Sequence, residues 1–400
     1  MNIIKWLKNE IKEHSKSQYI DKVAEDTGWP KKRVREEMKK ASEMGFSYRY
    51  YAQKKLWKKT PEQLEKHAEF FARKQTAHKE ERERDMADIM KESGMSKAEL
   101  TQKIREAHFN CGASFYDYKV FRMWEMTDEQ MKTFYTKGVF DRLYEKYNSN
   151  SEEIKKLASK VRFAKEFSGF INRRWFTNGK NLSWEKFLSD ISGLDALFAK
   201  PTASSKGQGA EIIRFSDFKD EREIFEYISS KKYMIFEELI KQHHDLAKLS
   251  DSSVNTVRVV TIVDKGVCHI VFTMLKMGVD NFVDNLTGGG IVADVDPQTG
   301  IIRTNGFNKA TEEFEKHPVS GTVIKGFQIP LWEELLDMCK AAAMRLADKN
   351  IGLVGWDVAI GEDKIYLVEG NSIPGHELPE MPYVRTKHGR VSEILPFLED

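Results

Sequence analysis

The apolar pattern changes character near residue 160. Over residues 1–150 apolar positions recur at helical spacing, β-branched runs are few and breakers sparse, which predicts an all-helical region. Beyond it, short β-type runs alternate with helices. The runs are 196–200, 212–215, 233–237, 254–263, 267–276 and 290–294, with 301–304 after the turn Asp296-Pro297-Gln298-Thr299-Gly300. A helix is predicted behind the cap Ser183, over 184–190, and another over about 330–350. No GxGxxG occurs and the alternation is not of the Rossmann kind, so this part reads as α+β with an antiparallel-rich sheet. The boundary between the two textures falls in the polar stretch 147–153.

The helical region carries an internal repeat. Thr27-Gly28-Trp29-Pro30-Lys31-Lys32 returns as Ser93-Gly94-Met95-Ser96-Lys97-Ala98, and GFSYRYYAQKKLWKKTPEQLEKH from Gly45 resembles GASFYDYKVFRMWEMTDEQMKTF from Gly112. Thr60 and Thr127 sit where N-caps belong, with Gln63 and Gln130 completing capping boxes; Thr27 and Ser93 are candidate caps of earlier helices. A unit unable to bury its apolar face alone is expected to pack on its copy or on the following domain. The tyrosines in the loops 45–51 and 112–118 are read as packing residues ahead of ligands.

Four hundred residues suffice for two or three domains. No run approaches the roughly 18 apolar residues a membrane span needs, and MNIIKWLKNEIKEHSK lacks the apolar stretch of a signal peptide. Cys111, Cys268 and Cys339 form neither a disulfide framework nor a zinc pattern, which fits a reducing cytoplasm. The net charge of +2 is unevenly spread: residues 1–60 hold 16 Lys or Arg against 8 Asp or Glu. That end either meets an anionic surface, such as the inner face of a membrane or a lipid-linked substrate, or is a solvated helical face, which is preferred; nucleic acid is not expected.

The densest candidate chemistry lies in LVGWDVAIGEDKIYLVEGNSIPG, from Leu353 to Gly375. It predicts two strands joined at Gly361, Glu362 and Asp363. Residues two apart share a face, so Glu369 and Asn371 point together. Asp357 joins them if the loop has an odd number of residues, as 361–365 would; an even loop puts it on the opposite face. Two carboxylates and an amide oxygen are hard ligands suited to Mg²⁺ beside phosphate; the alternative is a solvated face.

Other stretches add to this wall. Lys200 ends a strand and is followed by the small-residue loop Ser204-Ser205-Lys206-Gly207-Gln208-Gly209, whose bare N–H groups can close over phosphate, although it is no Walker A loop. An apolar strand ends in Glu237-Glu238-Leu239-Ile240, where backbone can meet a base edge. Arg258 interrupts an apolar run, so its charge must face a cleft or a partner. Lys276 ends the next run, and Asn285 precedes the glycine loop 288–290.

In this order the residues resemble the ATP-grasp superfamily over roughly 160–385, and SVNTVRVVT, LTGGGI and VEGNSIPG are similar to its sugar-transfer-associated family, linked to surface polysaccharide biosynthesis. The resemblance implies two α+β subdomains gripping ATP, at 151–245 and 246–400, behind an N-terminal helical extension. It implies that Lys200 contacts the α and β phosphates, with Ser204, Ser205, Lys206, Gly207 and Gly209 in a mobile phosphate lid. Glu237, Glu238, Leu239 and Ile240 would hold adenine. Asp245 lies where a ribose-binding acid is usual, in Gln242-His243-His244-Asp245, which departs from the family pattern. Arg258, Lys276 and Asn285 would serve the transferred phosphoryl group, and Asp357, Glu369 and Asn371 the Mg²⁺. The implied reaction is carboxylate–amine ligation through an acyl phosphate, on small-molecule or sugar-linked substrates. The alternative is phosphoryl transfer to a hydroxyl on the same scaffold. Neither needs a protein nucleophile, and no Ser/His/Asp or Cys/His signature stands out. The adjacent histidines are not read as a metal site.

Overall fold

The structure, a computed structural model, describes residues 17–44, 46–179, 182–202, 209–231, 234–280 and 286–399. The chain divides into two compact units, Met1–Lys97 and Ala98–Asp400. No helix among the described residues is long and apolar enough to cross a membrane.

The first unit is helical, with Lys31–Glu43, Tyr48–Gln53 and the long Pro61–Ser93. Its core gathers Val23, Val34, Met38, Phe46, Tyr51 and Leu56. The two similar stretches share one series of local conformations. Ser47 and Ser114 each cap a short helix, Lys55 and Arg122 take left-handed backbone before a 3₁₀ turn, and Thr60 and Thr127 close capping boxes with Gln63 and Gln130. Thr27 and Ser93 are not N-caps. Each ends the preceding helix and takes a backbone N–H two residues on, from Trp29 and Met95, because the glycine that follows is left-handed and stops the helix there.

The second unit holds two antiparallel sheets. The smaller contains β1 (Trp175–Thr177), β2 (Ala196–Pro201), β3 (Glu211–Arg214) and β4 (Met234–Glu238), in the order β1-β4-β2-β3. Helices Trp184–Ile191, capped by Ser183, and Glu221–Ser230, capped by Asp220, pack on it through Phe187, Ile224 and Ile228. The larger contains β5 (Thr256–Asp264), β6 (Val267–Met277), β7 (Ile291–Asp294), β8 (Gly306–Phe307), β9 (Glu313–Phe314), β10 (Leu353–Ile360) and β11 (Ile365–Asn371), in the order β11-β10-β5-β6-β7-β8-β9. The run 301–304 makes only isolated bridges, Val295 with Ile302 and Ile301 with Gln328. Asp296 turns the chain there by accepting the N–H groups of Gln298 and Thr299.

Alternation gives the large sheet two different faces. Val257, Val259, Leu275, Val354, Trp356 and Val358 join Leu335, Cys339 and Ala342 of helix Trp332–Met344 in one core. Trp356 is fully buried, and its truncation to Ala costs about 3–5 kcal/mol on the scale of large core deletions. On the opposite face a row of neighbouring residues runs Glu369, Asp357, Arg258, Met274, Asp294 across five strands. At the Asp294 end this face is closed by a network: Arg390, Arg303 and Tyr383 all donate to the Asp294 carboxylate. Tyr135, directly after the second repeat stretch, packs there with its ring 5.8 Å from Phe272.

Candidate functional site

The β10–β11 hairpin sets the site, and its geometry differs from expectation in one respect. Ile360 pairs with Ile365, so the connecting loop is even, four residues long, which alone would turn Asp357 away from Glu369. The register shifts between Asp357 and Val358, leaving Val368 as an extra residue in β11. Beyond this bulge Asp357 pairs with Glu369 and Gly355 with Asn371. All three candidate ligands therefore share one face, through a bulge rather than an odd loop.

Asp357 is buried on that face. Arg258 donates Nε to its Oδ1 (2.5 Å) and an Nη to its Oδ2 (2.9 Å), and Lys276 donates to Oδ2 (3.1 Å). Against the cost of burial, these two cations hold its carboxyl well below the usual range. For Glu369, whose side chain keeps solvent exposure, the balance reverses: loss of hydration around the carboxyl and the charge of Asp357 beside it push it above the ordinary value. The Asn371 amide donates to Glu369 Oε1 (3.1 Å), which leaves its carbonyl oxygen as an acceptor.

The small sheet brings a second cluster together. Lys200 on β2 and Glu237 on β4 share a face, and Lys200 Nζ lies 2.8 Å from Glu237 Oε2. Arg173 donates to Glu237 Oε1 (3.0 Å) and to the Leu367 carbonyl of β11 (2.8 Å), so one side chain ties the small sheet to the strand that carries Glu369. Against burial, Arg173 and then Lys200 keep the Glu237 carboxyl below its usual value. Lys160, at the start of helix Lys160–Glu166, lies where Lys200, Glu369 and Glu237 all act on it; burial and Lys200 pull its ammonium below the ordinary value.

The other candidate residues are placed as follows. Glu238 ends β4 and accepts the Arg174 backbone N–H (3.1 Å); Leu239 and Ile240 follow, half-buried. Asp245 lies in the short helix His244–Ala247 and bonds to Lys248 (2.5 Å). Gly209 has left-handed backbone (φ +75) beside Pro201. Ser204, Ser205, Lys206, Gly207 and Asn285 lie outside the described residues. His243, His244 and Glu362 are close enough to hold a metal ion. In that group Glu362 accepts from the His244 backbone N–H and meets its Nδ1, both at 2.8 Å, while His243 Nδ1 accepts from the Asp245 N–H (3.1 Å). A neutral ring has one lone pair, and this one is already used, so hydrogen bonding accounts for the group.

Sequence reasoning missed Lys160 and Arg173. Arg173 stood in the pair Arg173-Arg174 directly before an aromatic strand, a signal of the same kind as Arg258; Lys160 carried none. It also missed the fixing of the chain beyond Asn371. Arg258 Nη1 donates to the Pro374 carbonyl (2.5 Å), and Pro374 packs on Gly355, where a Cβ would stand 2.7 Å from it.

Comparison with known proteins places this chain in a class, the ATP-grasp proteins. The chain belongs to the sugar-transfer associated ATP-grasp family, whose profile matches residues 142–394. No curated protein matches it. Solved structures similar to it include D-alanyl-alanine synthetase A from Vibrio cholerae (12% identity, 61% of this chain and 64% of that one, TM-score 0.35). D-alanine–D-alanine ligase from Bacillus anthracis complexed with ATP matches at 13% identity (60% and 66%, TM-score 0.34). The ATP-grasp ligase PsnB complexed with minimal precursor matches at 15% (61% and 63%, TM-score 0.33). The chain thus spans just under two thirds of the first of these.

Proposed function

We propose that the protein is an ATP- and Mg²⁺-dependent carboxylate–amine ligase, forming an amide on a sugar or cell-surface polysaccharide precursor. The observation that carries this is the facing charge set: Asp357 and Glu369 with Arg258 and Lys276 on one sheet, and Lys200 with Glu237 and Arg173 on the other. Asp357, Glu369 and the Asn371 carbonyl fit Mg²⁺, being hard oxygen donors on one face, with one carboxylate whose charge its surroundings do not offset. A cation there competes with Lys276 for Asp357 Oδ2. When bound, Mg²⁺ neutralises charge on the β and γ phosphates.

In this reading Lys200, with the loop 204–209, holds phosphates, and the backbone of Glu237–Ile240 meets adenine. Asp245 stands nearest to the expected ribose contact. Arg258, Lys276 and Asn285 stabilise the transferred phosphoryl group. The substrate carboxylate attacks the γ-phosphorus and ADP leaves; an amine then attacks the acyl carbon and phosphate leaves. Positioning and charge supply the catalysis. The enzyme works in the cytoplasm, with its basic N-terminal end as a solvated helical face in preference to a contact with the inner face of the membrane.

The test is Mg²⁺–ATP with a panel of amino acids and uronic acids, with hydroxylamine as the trapping amine. A carboxylate that is a substrate gives ADP and a hydroxamate. A phosphorylated alcohol in place of the hydroxamate would convert the reading to a kinase. No stabilisation by Mg²⁺–ATP in a melting experiment would remove the nucleotide reading altogether.

A further inference from the structure

Beyond Asn371 the chain turns through Ser372, Ile373, Pro374 and Gly375 to His376. Arg258 and Gly355 hold this turn on the wall, as described. A third hold comes from the second repeat stretch. His376 Nε2 lies 2.6 Å from Asp117 Oδ1. Asp117 is fully buried, and its Oδ2 accepts the backbone N–H groups of Ser114 (2.7 Å) and Lys137 (2.9 Å). Against burial, His376 and these amides keep it ionised, below the usual range. A carboxylate fixed through one oxygen presents the other as a fixed acceptor, so His376 donates its Nε2–H. Phe140 stacks on the imidazole (5.7 Å), Tyr135 meets it edge-on (6.2 Å), and Glu377 lies 3.6 Å from Nδ1. In the first stretch the corresponding residue is Tyr50, whose hydroxyl pairs with His67 (3.2 Å) inside its own unit. The acid therefore belongs to the copy that carries the turn.

We propose that Asp117 and His376 are positioning residues for the phosphate end of the nucleotide site. They hold Pro374, whose carbonyl orients Arg258 against Asp357. The loss of their contact lets the turn and the Arg258 guanidinium move, without touching the base or the α phosphate. The inference rests on the nucleotide reading above.

Calorimetric affinities of the full chain for Mg²⁺–ADP and for Mg²⁺ with a non-hydrolysable ATP analogue test it. The unaltered protein should bind the analogue more tightly. Asp117→Asn and His376→Ala should erase on the order of tenfold of that preference, the scale of one charged hydrogen bond, with the ADP affinity within about twofold. His376→Gln, whose amide can still donate to Asp117, should keep most of it. Equal losses for both nucleotides, no loss for either, or a Gln variant as impaired as the Ala variant overturns the proposal. If Asp117→Asn fails to fold, the two His376 variants decide. If the unaltered protein binds neither nucleotide, the nucleotide reading falls and takes this one with it.

Discussion

Each sheet grips one buried carboxylate between an arginine and a lysine: Glu237 between Arg173 and Lys200, Asp357 between Arg258 and Lys276. In both places the carboxyl is held below its usual range. The difference is Glu369. On the large sheet a second acid stands beside the gripped one, and its proton is held more tightly than usual. The small-sheet group is an ion cluster with its carboxylate satisfied. The large-sheet group still favours positive charge, which a proton or a divalent cation supplies. Similar grips thus leave the small sheet with a paired acid and the large sheet with an acid to spare.

The comparison is broken most severely through stability. Glu237→Gln and Asp357→Asn each leave two buried cations without their shared partner and should cost about 3–5 kcal/mol in denaturant unfolding. Glu369→Gln removes a charge its surroundings disfavour and should cost under about 1 kcal/mol. Equal costs for all three variants would mean that Glu369 is a third gripped acid rather than a spare one. Next comes turnover: Glu369→Gln should lower the rate by about 10²-fold or more, as loss of one preorganised electrostatic group does. Turnover near that of the unaltered protein would leave the hairpin a solvated face. Lys200→Ala should weaken Mg²⁺–ATP binding by about tenfold, with Arg173 still pairing Glu237 and the apo fold intact.

The smallest effect is in pH. A carboxyl whose pKa is raised on folding contributes fully to stability below its unfolded pKa and loses that contribution as pH rises through its folded pKa. Glu369 is such a group, so Glu369→Gln should gain on the unaltered protein as pH rises above the ordinary carboxylate range. Glu380, buried and pushed up to about 7, adds the same slope to both proteins and cancels. Asp357 and Glu237 act oppositely, stabilising above the unfolded carboxylate pKa and failing toward acid. Mg²⁺ should remove the Glu369 difference; if it does not, the metal lies elsewhere.

Much of this was legible in the sequence because it is local. The capping boxes at Thr60 and Thr127, the strand carrying Arg258, and Glu369 two residues before Asn371 depend on near neighbours and short-range periodicity. The placement of Asp357 was not fixed by loop counting, since the bulge at Val368 overrides it. Lys160 acquires meaning only when two sheets approach each other, and Arg173, a charge before an aromatic strand, finds its partners Glu237 and the Leu367 carbonyl only there. The same holds for Asp117, whose partner lies far along the chain; nothing near it tells an N3 capping acid from one that reaches across the fold. Thr27 and Ser93 misled because a hydroxyl before glycine serves a helix end as readily as a helix start.

The bulge also constrains how this gene can change. Removal of Val368 alone would make Leu367 and Glu369 neighbours in a regular ladder, with Asp357 still opposite Glu369 on the face away from Trp356. Closing the ladder with Val368 kept, so that Val368 pairs with Asp357, would instead turn Glu369 and Asn371 to the side of Trp356. Deletion of Val368 should therefore be tolerated, and a library of single-residue length variants of the hairpin should show activity only where Glu369 stays opposite Asp357.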